Sequence, residues 1–321
     1  RKKSRRMRPT KYDAVMLIAF GGPGSPEEIR PFLARVTQGI PIPPERLEAV
    51  AHHYHVVGGK SPLNEITFRQ AAALENALAL AGAKLPVYVG LRNSTPSFSE
   101  TLEKMGRDGV KRALGFILSA HRSEASWERY KKNIDAARAE LSGNPPAIDY
   151  CAGWHDHPLF IQTWRESIKR ARANFSASES ASAPLVFTAH SLPVTMAARS
   201  SYVAEVAASA RMIAGSLSLQ HWSVAYQSRS GNPAESWLEP DISRAIADLA
   251  ARGARAAVVA PIGFVADHVE VLFDLDIEAQ NRAEQLGLRL VRASCPNDNP
   301  TFIAMIADVI KKHLSAAAIP E

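Results

Sequence analysis

Short apolar runs rich in β-branched residues alternate with longer amphipathic stretches from one end of the chain to the other. Eight of these runs, at residues 14–20, 86–91, 113–120, 147–151, 185–189, 223–227, 256–262 and 288–292, predict strands. Helical spacing fills the intervals at 64–80, 96–108, 127–141, 157–175, 202–216, 242–252 and 302–313. Strand and helix in strict alternation predict an α/β protein built on parallel sheets covered by helices. The one low-complexity stretch, residues 175–184 (FSASESASAP), separates two halves of similar βαβ content and reads as a surface loop or a domain seam. The expected organisation is two doubly wound lobes, at 12–155 and 156–314, with a cleft between them. A basic tail at 1–11, expected to be disordered, and a short tail at 315–321 flank the lobes. Ligand groups are expected at the carboxyl ends of strands, where open α/β sheets bind.

The 321 residues are 46% hydrophobic, 22% charged and 7% aromatic, enough to bury a full core, which excludes disordered, collagen-like and fibrous classes. At roughly 150 residues per domain the length also suits two domains. The net charge of +6 is a local feature. Seven basic residues and no acid lie in the first eleven positions, leaving 31 basic against 32 acidic residues from Tyr12 onward. A body without a basic field and without a reading motif is not expected to bind nucleic acid. The two cysteines, Cys151 and Cys295, have neither zinc nor redox spacing and suit a reducing cytoplasm. No apolar run approaches the roughly 20 residues that span a bilayer, so at most peripheral membrane contact is expected.

Several polar motifs fall where ligands are expected. Phe20-Gly21-Gly22-Pro23-Gly24 follows the first strand, but its spacing is neither GxGxxG nor that of a P-loop. Gly58-Gly59-Lys60-Ser61-Pro62-Leu63-Asn64 ends in Asn64, which predicts a helix N-cap. In Thr188-Ala189-His190-Ser191-Leu192-Pro193 a strand delivers His190 to its carboxyl end, where a neutral imidazole can ligate a metal or take a proton near pH 7. After the strand near 256–262, Glu270, Asp274 and Glu278 recur at i, i+4 and i+8, which on a helix is one line of carboxylates. No lysine or arginine lies between Asp267 and Glu278, so solvent or a hard cation must relieve the repulsion. Tyr226-Gln227-Ser228-Arg229-Ser230-Gly231-Asn232-Pro233 has the form of a cleft wall.

Taken together, FGGPGSPEEIRPFL, VVGGKSPLNEIT, FTAHSLP, YQSRSGNPAESWLEPD, PIGFVADHVEVLFDLD and PNDNPTFI resemble the blocks of the ferrochelatase family, in order and over nearly the whole chain. The resemblance implies two Rossmann-like lobes, a porphyrin cleft between them, and a last helix packing back across the chain. It implies a lyase that inserts ferrous iron into a porphyrin in haem biosynthesis, with iron as substrate and no cofactor required. His190 then lies on one face of the ring as proton acceptor or metal ligand, and Glu270 lies opposite it. Glu270, Asp274 and Glu278 match the family's acidic ladder, which hands over iron or removes protons. Two cysteines, neither near the C-terminus, argue against the iron–sulfur cluster of some members.

The FGGP opening and the YQSRSG block look most like the actinobacterial-style coproporphyrin ferrochelatases, which implies coproporphyrin III as the ring, with a downstream haem-pathway enzyme receiving the product. Four propionates call for cationic or hydroxyl partners. Phe20, His53, Lys60, Ser61 and Arg92 fall in the matching loops as porphyrin contacts. Phe20 stands where Firmicute coproporphyrin enzymes have an iron-ligating tyrosine, and Thr37 and Gln38 stand where they have arginines. The rival readings are a protoporphyrin IX ferrochelatase, a cobalt or nickel chelatase, a non-catalytic haem carrier, and, without a nucleotide signature, a sugar-nucleotide transferase.

Overall fold

The computed structural model describes residues 11–39, 42–230 and 234–316. Most of the basic tail, the end of the chain and Gly231-Asn232-Pro233 of the fifth motif lie outside the described residues. The rest holds two four-stranded parallel sheets. The first contains β1 (Ala14–Ala19), β2 (Val87–Leu91), β3 (Arg112–Ile117) and β4 (Ala147–Tyr150), in the order β2-β1-β3-β4. The second contains β5 (Leu185–His190), β6 (Trp222–Gln227), β7 (Ala256–Ala260) and β8 (Arg289–Arg292), in the order β6-β5-β7-β8. All eight predicted runs are strands, with ends displaced by a few residues at most.

Every residue of β1 and of β7 is buried. Helices on both faces of a parallel sheet bury both sets of alternating side chains, so these strands are apolar throughout. Full burial of one such Val, Leu or Phe contributes about 1.5–3 kcal/mol. In each sheet the chain leaves its first strand for one neighbour and returns to the other side. That reversal opens a crevice at the carboxyl ends of β1 and β5, the switch points at which open sheets bind ligands. The buried side chains of both sheets form one contiguous core, and a smaller cluster built on Ile29, Phe32, Leu33, Tyr54, Val269 and Phe273 joins the helices after β1 to the segment after β7. The last helix, Pro300–Ala316, packs on Leu63–Leu80 of the first half and on Pro158–Arg172.

Four local expectations need correction. Residues 175–184 are not all loop, because Ser176 and Glu179 form a reciprocal capping box that starts the short helix Ala177–Ser182. Ile29–Val36 and Pro44–Val56 are helices absent from the expected set, the first being only eight residues long and the second having a weak apolar stripe. Asn64 does not cap a helix. The helix Leu63–Leu80 begins before it, and its side-chain amide instead accepts from Gly22 N (2.9 Å) and donates to Gly22 O (2.8 Å), tying down the turn after β1. The acidic stretch is not one regular helix either, since the α-turn Val269–Leu272 gives way to a π-helical segment, Asp274–Ala279.

Candidate active site

β5 delivers His190 because its preceding residues, Leu185 to Ala189, are wholly buried and fix the strand between β6 and β7. The imidazole Nδ1–H donates to Ser191 O at 2.5 Å, and Tyr202 OH donates to His190 O at 2.9 Å. A carbonyl only accepts, so Nδ1 carries a hydrogen whether the ring is neutral or charged. Nε2 is left facing Glu270 Oε1 at 3.5 Å.

Glu270 is brought there by the loop after β7. Gly263 lies against β5, where a Cβ would stand 2.6 Å from Ala189 Cα, and its N–H donates to Thr188 O at 3.0 Å. Only a residue without a side chain allows that approach. Further along, Asn297 Oδ1 accepts from Asp267 N (2.8 Å), and Arg292 Nη1 lies 3.0 Å from Asp267 Oδ1. His268 Nδ1–H donates to Ala266 O at 3.1 Å, and its Nε2 lies 3.2 Å from Glu270 Oε2. Each carboxylate oxygen therefore faces an imidazole nitrogen whose ring partner is already committed to a carbonyl.

The charges follow from this placement. Burial opposes charge on His190, but the Glu270 carboxylate outweighs it and raises the imidazole to about 9. Burial also opposes charge on Glu270, and the two imidazoles outweigh that in turn, holding its carboxyl below the usual carboxylate range. Asp274 behaves oppositely. Burial, with Glu270 and Glu278 nearby, raises it to about 7 although the Ser228 hydroxyl donates to it.

Glu270, Asp274 and Glu278 line one cleft of about 1000 Å³. The π-helical segment, with Glu278 N donating to Phe273 O at 3.0 Å, shifts the ladder off a simple i, i+4, i+8 line, and Glu278 is exposed. Among the described residues no three His, Cys, Asp or Glu side chains converge to hold a metal ion. The four predicted metal-handling residues are thus strung along a wall rather than gathered around a point.

Past His190 and Glu270 the cleft meets an inner chamber of about 240 Å³, lined by Ser61, Gln70, Tyr130, Tyr202 and His268 among others, and Phe20, Tyr54, His190 and Glu270 border both spaces. Phe20, Ser61 and His53, expected as porphyrin contacts, line these cavities. His53 stacks on Phe273 with ring centroids 3.7 Å apart, and burial with Arg46 and His52 nearby lowers it to about 4, so it is neutral at pH 7 and supplies no cation. Lys60 and Arg92 are absent from the lining of either space. Lys60 is exposed and pairs with Glu65 at 2.7 Å, while Arg92 lies over the Phe20 ring at 5.9 Å and donates to Asn133 at 2.8 Å. The cations that do line the cleft include Arg46, Arg129 and Arg199, and Thr37 lies in the same lining. Sequence reasoning missed these arginines because they sit on helices and loops outside any glycine-marked turn. It also passed over His268, for which the His-x-Glu spacing with Glu270 was the available signal.

A protein-family model described as Ferrochelatase matches residues 12–314. The coproporphyrin III ferrochelatase of Nocardia farcinica (strain IFM 10152) is 40% identical over 95% of this chain and 89% of that protein. That of Mycobacterium avium (strain 104) is 43% identical over 93% and 87%, and a ferrochelatase of Rhodopirellula baltica is 38% identical over 94% and 86%. Among solved structures, SirB from Bacillus subtilis with Fe3+ matches with a TM-score of 0.58 at 11% identity, over 94% of this chain and 95% of that one. A likeness at that identity concerns the fold alone, and it is the fold of chelatases.

Proposed function

This chain belongs to the ferrochelatase family, and from that premise we propose that it is a coproporphyrin III ferrochelatase, inserting ferrous iron into the ring to give iron-coproporphyrin III in haem biosynthesis. The observation that carries the chemistry is the carboxylate of Glu270, held between His190 and His268 on the border of both cavities. The observation that carries the ring is roughly 40% identity, over most of the chain, to proteins named for coproporphyrin III.

Insertion displaces two pyrrole protons and strips water from ferrous iron. With His190 charged and Glu270 ionised at neutral pH, Glu270 is the acceptor for a ring proton, and His190 accepts one only after passing its own on. Asp274, which titrates near 7, both takes and releases protons at neutral pH on the way to exposed Glu278. The same oxygens suit hydrated ferrous iron moving the other way. Arg46, Arg129 and Arg199 offer charge-assisted bonds to propionates, and Phe20 offers a ring face without an axial ligand. The reaction so described needs no cofactor besides its iron substrate. Its product passes to a downstream haem-pathway enzyme in the cytoplasm; among the described residues no helix is long and apolar enough to cross a membrane.

Anaerobic ferrous iron insertion, followed by absorbance with coproporphyrin III and protoporphyrin IX at equal concentration, tests this. Faster turnover of coproporphyrin III is expected. Preference for protoporphyrin IX would overturn the choice of ring, and tight binding of either without metallation would overturn the reaction.

A further inference from the structure

Two buried polar side chains beside the site make bonds that the reaction as described does not use. Thr188 is 0% exposed and Gln227 is 1% exposed. Thr188 stands two residues before His190 on β5, and Gln227 is the residue of β6 in register with His190. The Gln227 main chain holds one arm of the site, since its carbonyl accepts from Ser191 N at 2.7 Å. Its side chain holds the other, since Nε2 donates to Glu270 O at 2.6 Å. The Thr188 hydroxyl in turn donates to Gln227 Oε1 at 2.7 Å.

The polarity of this chain of bonds is forced. Glu270 O only accepts, so the amide must present its NH2 there, and its oxygen must then face Thr188, whose hydroxyl donates. An apolar pair of similar volume would fill the same space without the cost of desolvating an amide and a hydroxyl. Among the described residues, the bonds of the Thr188 hydroxyl and the Gln227 amide run from Thr188 to Gln227 and from Gln227 to Glu270.

We propose that Thr188 and Gln227 form a positioning relay that fixes the Glu270 backbone relative to β5 and so sets the spacing between the Glu270 carboxylate and His190. Neither residue is catalytic, because both act on the reacting groups through the bond to the Glu270 main chain. The inference rests on the chelatase reading for its kinetic consequence and on geometry alone for its structural one. A displacement of about 1 Å at a reacting centre can cost about 100-fold in rate.

The variants are Thr188→Val, which keeps shape and removes the donor; Thr188→Ser, which restores it; and Gln227→Leu. Iron insertion into coproporphyrin III and the 15N resonances of the His190 ring are measured for each. The expected result is a kcat lower by about 10- to 100-fold for Thr188→Val and Gln227→Leu, with KM for the porphyrin unchanged, and rescue by Thr188→Ser. The His190 resonances should move in Thr188→Val and return in Thr188→Ser, whether or not the protein turns over. A Thr188→Val protein with wild-type kcat and unmoved resonances would overturn the relay. So would a Thr188→Ser protein as impaired as Thr188→Val. If the wild-type protein metallates neither porphyrin, the chelatase reading fails, and the resonances still decide the relay. Should Gln227→Leu fail to fold, the two Thr188 variants decide it without that protein.

Discussion

The carboxyl ends of β1 and β5 are equivalent places in two sheets of the same strand order, yet they carry different chemistry. At the first switch point stands Phe20, followed by a glycine turn that Asn64 ties down. At the second stands His190, with Glu270 and His268 brought opposite by the loop after β7. Nearby elements diverge in the same sense. The connection from β1 to β2 carries the helices Ile29–Val36, Pro44–Val56 and Leu63–Leu80, two of which supply Leu33, Val36, Arg46, Leu47 and Tyr54 to the cleft wall. The connection from β5 to β6 is shorter and supplies Tyr202, which steadies the His190 backbone. One architecture thus provides a wall on one side and proton-handling groups on the other. The division lies in the residue at the strand end and the segment that follows, not in the sheet.

Exchanging the side chains at the two strand ends for alanine should expose this division most sharply. His190→Ala removes one of the two groups placed to hold a proton at the reacting centre, and loss of such a group costs roughly 100- to 10,000-fold. Porphyrin binding, read by fluorescence quenching, should persist. Phe20→Ala removes a wall ring packed edge-on to Phe32 at 6.2 Å, so it should weaken porphyrin affinity several-fold while changing kcat far less. A kcat loss in Phe20→Ala as deep as that in His190→Ala would erase the distinction between wall and chemistry.

A smaller but still clear effect is expected where the two parts of the second site touch. In Gly263→Ala the new methyl would stand 2.6 Å from Ala189 Cα and 2.7 Å from its Cβ, so backbone has to move. Overpacking of this kind typically costs about 1–3 kcal/mol. The loop that shifts carries Glu270, so the insertion rate should fall by about ten-fold or more, beyond what the stability loss explains. Urea unfolding and turnover of the same preparation check both halves of the statement. Unchanged turnover in a destabilised protein would show that the approach of loop to strand is packing only.

What could be read from the sequence divides along the same line. The strands were legible because a strand buried on both faces is a continuous apolar run, and the ends of β5 and β7 placed His190 and the acidic segment correctly. The line of Glu270, Asp274 and Glu278 could be marked because carboxylates recur there without a lysine or arginine between them, and the resemblance to the ferrochelatase family is what singled out Glu270. The π-helical segment could not be read, because its six residues are too few for the difference between i→i+4 and i→i+5 bonding to show in the pattern of apolar positions. That Lys60 and Arg92 stand outside the cleft lining was hidden for a related reason. A residue's place in a glycine turn says that the backbone bends, not which way its side chain points, and Glu65 and Asn133 draw these two away from the cleft lining. Arg46, Arg129 and Arg199 reach the cleft through tertiary packing of separate helices and loops, which no local pattern reports.

The finest distinction lies within the second site, between a carboxylate stabilised in its charged form and one destabilised in it. Asp274 has an ordinary value near 3.8 and is raised to about 7 by burial and by its neighbours Glu270 and Glu278. Between those values the folded protein holds a proton that the unfolded chain releases, so stability falls as pH rises from about 4 to about 7. The slope for one such group reaches about 1.4 kcal/mol per pH unit. Asp274→Asn keeps an acceptor for the Ser228 hydroxyl and has no charge to desolvate. The variant should therefore exceed the wild type in stability at pH 8 by on the order of 1 kcal/mol or more, and lose most of that advantage by pH 4.5. His190, raised from 6.5 to about 9 with Asp274 as only the last of the causes, forfeits its own contribution as pH rises through that higher window in both proteins, so the difference between the two curves reports mainly Asp274. Because Glu270 still stands against His190 in this variant, iron insertion should slow less than in Glu270→Gln. Urea melts across this range and one rate comparison suffice; a stability difference that does not change with pH would mean that Asp274 is not held above its ordinary value.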